Sequence, residues 1–173
     1  MPELRLRFPP GRIASWAARF PGDDASPVAG ALARIRREKR LRRDDLLAVA
    51  RWKTPRSRPR VERNSERDVR GATREALTSA DERRRIESLT ALEGVGFPTA
   101  SAILHFCHED PYPVLDVRAL WSLGLAKTPH YGFDFWWTYV LACRDLSRRS
   151  GRTMRDVDRA LWQYARERAP RLS

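Results

Sequence analysis

Apolar residues in this chain recur with the period of an α-helix, and that periodicity constrains the fold more than any other feature. Phe133, Trp136, Trp137 and Val140 fall at i, i+3, i+4 and i+7, the spacing of a core-facing stripe. Val157, Ala160, Leu161 and Tyr164 repeat the pattern behind Thr153 and Asp156, a capping-box pair. Val28, Ala31, Leu32 and Ile35 do so behind Ser26 and Pro27, which suit a cap and a first turn. Strand-like alternation is almost absent. The expected fold is therefore all-α: a compact helical domain over residues 1–173, long enough for one full core and for two lobes around a shared cleft. Basic N-terminal helices and a loop occupy 1–78, a glycine-interrupted region 79–124, and C-terminal helices 131–169.

Proline and glycine punctuate the middle of the chain. A helix running from about Asp44 through Leu46, Leu47, Val49 and Ala50 must stop before Pro55. Residues 54–63 hold two prolines and four arginines and read as the main loop. A further helix is expected over about 65–77, and Ser79 with Glu82 then gives a capping-box pattern for a helix carrying Ile86 and Leu89. Gly94 and Gly96 break the periodicity. Pro98 suits the first turn of a helix whose apolar face is Ala100, Ile103, Leu104 and Cys107, and another helix is expected from Asp116 to Gly124.

A formal charge of +12 and a pI near 11.0 suggest a polyanionic partner, nucleic acid or an anionic membrane surface. Residues 1–90 hold 23 Lys or Arg against 13 Asp or Glu, and residues 91–173 hold 11 against 9, so the sequence assigns nearly all of the excess to its first half. No apolar run approaches the roughly 20 residues of a membrane span and no secretory signal opens the chain, so a soluble, cytoplasmic protein without a membrane partner is expected. Cys107 and Cys143 are the only cysteines, which excludes a disulfide framework and a four-cysteine zinc or iron–sulfur site. His105, Cys107 and His108 lie close together but lack an obvious fourth ligand, and packed or surface roles are favoured over a metal site.

The informative segment runs from Leu89 to Gly124. Gly94 and Gly96 allow a tight reversal that brings backbone close to a ligand, and the helix starting near Pro98 turns unpaired N–H groups outward, where they attract phosphate. The glycines alone fit an ordinary corner between helices equally well. Leu92, Gly94, Val95, Gly96, Thr99 and Ala100, followed by Pro113, Val114 and Asp116, form two blocks, with 22 residues from Gly94 to Asp116. In both blocks and in their spacing the segment resembles the helix-hairpin-helix DNA glycosylase superfamily that includes endonuclease III and the adenine glycosylases.

That resemblance implies a glycosylase-like arrangement, double-stranded DNA as partner, and a hairpin made of Gly94, Val95, Gly96, Phe97 and Thr99 on the DNA backbone. It implies Asp116 as the catalytic carboxylate, facing the sugar of a flipped-out nucleotide and stabilising the positive charge that develops as the N-glycosidic bond breaks. Asp is also a preferred helix N-cap, and the two roles are compatible. Members that cleave the strand carry a Schiff-base Lys where this chain has Pro98, so the resemblance implies a monofunctional DNA glycosylase of the base-excision repair type, using water. The family's iron–sulfur cysteines are missing, so no cofactor is required, although a monovalent cation can sit on the hairpin carbonyls of such proteins. A monomer is expected, nucleoid-associated if the source is bacterial. The alternative is a non-catalytic DNA-binding protein that keeps the hairpin; an RNA-binding or anionic-surface protein driven by charge leaves the two-block match unexplained.

The stretch from Arg51 to Arg63 has a reading of its own. Lys53, Arg56, Arg58 and Arg60 suit phosphate contacts. Trp52 is either a wedge that fills the gap left by a flipped base or a core residue. The aromatic group Tyr131, Phe133, Phe135, Trp136 and Trp137 could stack on a base, but its helical spacing favours packing.

Overall fold

The computed structural model describes residues 3–22 and 26–170, and among these every regular element is helical. No helix among them is long and apolar enough to cross a membrane. The chain forms two units, one of residues 24–110 and one of residues 1–23 with 111–173.

The unit of residues 24–110 is built around one buried helix. Its elements are α2 (Leu32–Glu38), α3 (Arg43–Lys53), α4 (Arg58–Val61), α5 (Glu66–Thr78), α6 (Glu82–Thr90) and α7 (Phe97–Cys107), while α1 (Ile13–Ala17) belongs to the other unit. From Thr99 to Leu104 every residue of α7 is buried, and α2, α3, α5 and α6 pack around it. A helix surrounded in this way is apolar on all sides, so it carries Ala102 and the small hydroxyl residues Thr99 and Ser101 beside the expected face of Ala100, Ile103, Leu104 and Cys107. Full burial of Ile103 and Leu104 contributes roughly 1.5–3 kcal/mol each.

Two local expectations change. The cap of α6 is Asp81, whose carboxylate accepts from the N–H groups of Arg83 and Arg84; Ser79 instead accepts from the Asp81 N–H and so fixes the approach to the cap. The 54–63 stretch also turns out to be helical in pieces, a 3₁₀ turn over Pro55–Ser57 followed directly by α4. Pro55 and Pro59 both occupy first-turn positions, where the missing N–H has no partner to lose.

The second unit has α10 (Met154–Arg168) at its centre, packed against α1, α8 (Val117–Ser122) and α9 (Phe133–Ser150). Thr153 and Asp156 form the expected capping box. The buried stripe of α9 is Phe135, Trp136, Tyr139, Val140, Cys143 and Leu146, rotated from the expected Phe133–Trp137 phase; Phe133 and Trp137 are only half-buried. Before α1 the chain runs extended along the end of α8: the Arg5 and Arg7 N–H groups donate to the carbonyls of Leu123 (2.8 Å) and Ser122 (2.9 Å). Gly124, at φ +95°, lets that segment approach, since a Cβ there would stand 3.0 Å from the Arg5 carbonyl oxygen.

This topology redistributes the charge. The 24–110 unit holds 19 Lys or Arg against 14 Asp or Glu, leaving 15 against 8 for the other, because Arg5, Arg7, Arg12 and Arg19 fold with the C-terminal helices. The excess assigned to the first half of the sequence is shared by both units of the fold.

Candidate nucleic-acid interface

The turn between α6 and α7 is fixed by its own backbone and by the segment just after α4. Leu92 N–H donates to the Leu89 carbonyl and Val95 N–H to the Leu92 carbonyl, both at 3.1 Å, while the side chains of Leu92 and Val95 are buried. Gly94 adopts φ +74°, and a Cβ on it would meet Arg60 Cβ at 2.8 Å and Val61 N at 2.9 Å. Glycine is required here for conformation and for contact with the protein's own chain. Gly96 differs. Its φ of −94° and ψ of 177° are ordinary extended backbone, it is exposed, and the nearest atom to a Cβ placed there is Pro98 Cδ at 3.7 Å. Of the two glycines only the first is imposed by folding.

Asn64 holds the turn in place. Its Nδ2 donates to the carbonyls of Val61 (2.8 Å) and Glu93 (2.9 Å), and its Oδ1 accepts the Glu93 N–H (2.9 Å). At the other side of the corner the Thr54 and Thr99 hydroxyls hydrogen-bond at 2.9 Å. The turn and the basic 54–64 stretch, separate in the sequence, are therefore one structure. The clamp was not legible beforehand, because Asn64 beside Ser65 reads simply as a turn and cap.

The basic residues of this stretch divide. Arg56 and Arg60 are exposed; Arg58 is exposed too, but its Nε lies 2.6 Å from Glu62 Oε1; Lys53 is half-buried. Arg63 pairs with Glu93 at 3.8 Å. Trp52 lies at the surface, 41% exposed, with its ring edge-on to Phe106 at 5.0 Å, so core packing does not account for it. Phe106 is seven residues beyond Thr99, about 10 Å along α7 at 1.5 Å per residue, which sets Trp52 apart from the turn.

The long basic run of residues 34–43 contributes less than its composition promises. Glu38 pairs with Arg34, Arg37, Arg40 and Arg42 at 3.4–4.0 Å. Desolvation works against its ionisation, and the four guanidiniums outweigh it and hold the carboxyl below its usual value. Arg34 also meets Asp45 at 2.5 Å, and Lys39 pairs with Glu109. Lys39 caps α2 with φ 51°, and Leu41 just beyond it is buried, its N–H donating to Thr73 Oγ1 at 2.9 Å.

Asp116 lies in the other unit, at the start of α8. It is half-buried in an extended conformation (φ −145°, ψ 142°), and its Oδ1 accepts the Arg118 N–H at 2.9 Å, an N-cap contact. The run leading to it is held firmly: Tyr139 Oη donates to the Val114 carbonyl at 2.8 Å, and Asp158 Oδ1 accepts the Val114 N–H at 3.3 Å. Val117, the next residue, is 43% exposed. Tyr131 lies near the carboxylate; burial first, and then the charge of Asp116, raises its hydroxyl pKa. No sequence pattern pointed to Tyr131 as a neighbour of Asp116.

Among the described residues no group of three or more His, Cys, Asp or Glu side chains is placed to hold a metal ion. Cys107 is buried and its thiol is pushed up to about 12 by burial and then by Asp45. His108 Nδ1 accepts the Asp110 N–H at 2.9 Å. Two carbonyls of the turn that could face a monovalent cation, Leu92 and Glu93, already accept from Val95 N and Asn64 Nδ2. Comparison with family models, curated proteins and solved structures found no match.

Proposed function

We propose that the protein binds double-stranded DNA through the α6–α7 turn, acting as a helix-hairpin-helix of the glycosylase kind, and hydrolyses the N-glycosidic bond of a damaged or mispaired base with Asp116. The observation that carries the DNA reading is the contrast between the two glycines. Gly94 is consumed by the fold, seated against Arg60 and Val61, whereas Gly96 is exposed, unstrained and open on its Cβ side, and Arg56 and Arg60 of the stretch that Asn64 joins to this turn are exposed. A surface glycine whose conformation and surroundings do not demand glycine fits close approach by a ligand backbone, and exposed arginines on the joined stretch, with a helix start, make phosphate that ligand.

The catalytic part rests on the in-register spacing of Asp116 and on its setting. A carboxylate held at a fixed helix start and still accessible can stabilise the sugar cation and orient water. With Pro98 in place of a Schiff-base lysine, the proposed activity is monofunctional, with water as the nucleophile. A second reading, a DNA-binding protein without chemistry, is favoured by one observation: the hydrogen bond to Arg118 N–H is a sufficient structural reason for Asp116.

Base-release assays on duplexes containing uracil, mismatched thymine, 8-oxoguanine pairs or alkylated purines separate the two. On the released substrate, Asp116→Asn keeps most of the cap and is expected to lower single-turnover excision by about 100-fold or more while duplex binding persists. Wild-type excision by that variant removes Asp116 from the mechanism, and no release by the parent favours the second reading.

A further inference from the structure

In the unit of residues 1–23 and 111–173, away from both Asp116 and the turn in sequence, a cleft of about 640 Å³ opens between the N-terminal segment and α10. Phe8 and Trp16, both buried, and half-buried Tyr164 line it with aromatic rings: Phe8 lies 4.6 Å from Tyr164 between centroids, and Trp16 meets Tyr164 edge-on at 5.1 Å. Arg7, Arg12 and Arg168 are exposed at its rim, and none of the residues lining it is Asp or Glu.

The contacts these groups already make leave capacity for a ligand. Tyr164 Oη donates to the Arg7 carbonyl at 3.2 Å, which fixes the ring. Arg7 lies over Trp121 at 4.5 Å, with Nε on the Trp121 carbonyl and one terminal nitrogen on the Gly124 carbonyl. Arg12 uses Nε on Ser15 Oγ at 3.2 Å, and Arg168 stands 6.0 Å from the Trp16 ring. These bonds leave the forked ends of Arg12 and Arg168 for an anion, and stacking on an aromatic ring does not cancel a guanidinium charge.

An apolar aromatic floor with a cationic rim and no counter-charge matches a planar ring that carries a strong anion. We propose that this cleft binds a nucleotide, with the base against Tyr164, Phe8 and Trp16 and the phosphate on Arg12 and Arg168. Stacking is tolerant of base identity, and planar guanidiniums suit phosphate oxygens in pairs. The source of the nucleotide is either a free mononucleotide or the 5′-phosphorylated end of a single strand. The inference does not rest on the reading of the turn or of Asp116.

Titration calorimetry on the full chain tests it with dAMP, deoxyadenosine, deoxyribose 5-phosphate and 5′-phosphorylated oligo(dA). The expected result is saturable 1:1 binding of dAMP, at least about tenfold tighter than either of its halves. Arg12→Gln combined with Arg168→Gln is expected to weaken it by about tenfold or more, whereas Arg67→Gln with Arg74→Gln, an equal loss of exposed charge on α5, leaves it unchanged. Tighter, competitive binding of the oligonucleotide identifies a strand end as the source; its failure to compete identifies the free nucleotide. Absent saturation, equal affinity for deoxyribose 5-phosphate, or indifference to the rim substitutions overturns the proposal. Gly96→Val leaves dAMP binding intact, so the cleft and the turn fail or stand separately.

Discussion

The two units use the same residue, arginine, with a different balance of partners. In the unit of residues 24–110 many arginines meet carboxylates: Glu38 takes up four, Glu62 holds Arg58, Glu66 holds Arg70, and Glu87 holds Arg83. That unit has three of the chain's sixteen aromatic residues. The other unit has thirteen, and there Arg7, Arg118 and Arg144 lie over Trp121, Trp162 and Tyr112 at 4.5–5.0 Å, while Arg19 lies over Trp16 and also pairs with Glu167, and Asp145, Asp156 and Asp158 pair with arginines of α9 and α10. An ion pair weakens the field of its arginine, while an aromatic face anchors the side chain without cancelling its charge. Charge counted along a sequence is therefore a poor map of where a polyanion binds. In the first unit the field survives at gaps in the pairing, such as Arg56 and Arg60. In the second it survives on aromatic supports.

The sites differ in the same way: the turn is made of backbone, and the Asp116 site depends on a side chain. The sharpest break in that contrast comes at Gly94. Gly94→Ala forces a left-handed alanine and pushes its Cβ into Arg60 and Val61, and a loss of about 2–4 kcal/mol in unfolding free energy is expected from chemical denaturation. Gly96→Val, two residues on, should cost no more than about 1 kcal/mol, since Gly96 is the N-cap of α7 and valine is a poorer cap, and weaken duplex binding by about tenfold or more. If Gly96→Val binds duplex as the parent does, the turn does not anchor DNA.

The pairing pattern makes a finer prediction about salt. Arg56→Gln with Arg60→Gln is expected to lower the log–log salt slope of duplex binding by about 1.8, roughly 0.9 for each phosphate no longer neutralised. Adding Arg58→Gln should change it little, since Glu62 already holds that side chain. Arg37→Gln with Arg42→Gln is the contrasting pair, removing equal charge from the Glu38 cluster with a much smaller change in slope. Equal slopes for the two pairs would mean that net charge, rather than unpaired charge, governs binding.

Helix positions were largely legible in the sequence, because apolar period, proline and cap residues report on neighbours a few positions away. The misreadings arose where two local answers were equally good. Ser79 and Asp81 are both cap residues, and the path of the chain decides between them. Phe133, Phe135, Trp136 and Trp137 put aromatics around most of α9, so its inward face depends on what packs against it. Of the candidate interface, the glycines and arginines could be picked out, but their assembly could not: it depends on Asn64 holding Glu93 and on Gly94 seated against Arg60 and Val61, contacts across about 30 residues with no local signature.

The smallest expected effect concerns pH, and it tests whether the 24–110 unit pays for its dense pairing when protons are added. His108, at the end of α7, has its pKa lowered from the usual 6.5, first by burial and then by the Arg85 guanidinium, with Asp110 partly offsetting both. Above pH 6.5 the imidazole is neutral in the folded and unfolded chain alike, and its environment favours the fold fully. As pH falls below 6.5 the unfolded chain takes up a proton that the folded chain still refuses, so stability drops until the folded pKa is passed. Glu38, Glu66 and Glu109, with pKa values lowered in the fold, extend the loss at lower pH, since each contributes above its unfolded pKa and ceases to do so as its folded pKa is crossed. Thermal melts between pH 7.5 and 5 should show Tm falling by a few degrees in the parent. His108→Asn, which offers an oxygen acceptor near the Nδ1 position for the Asp110 N–H, should flatten that part of the profile while leaving the drop below pH 5. A parent and variant with parallel profiles from pH 7.5 to 5 would show that His108 is not the group that titrates, and the acid sensitivity of this unit would then lie in its carboxylates alone.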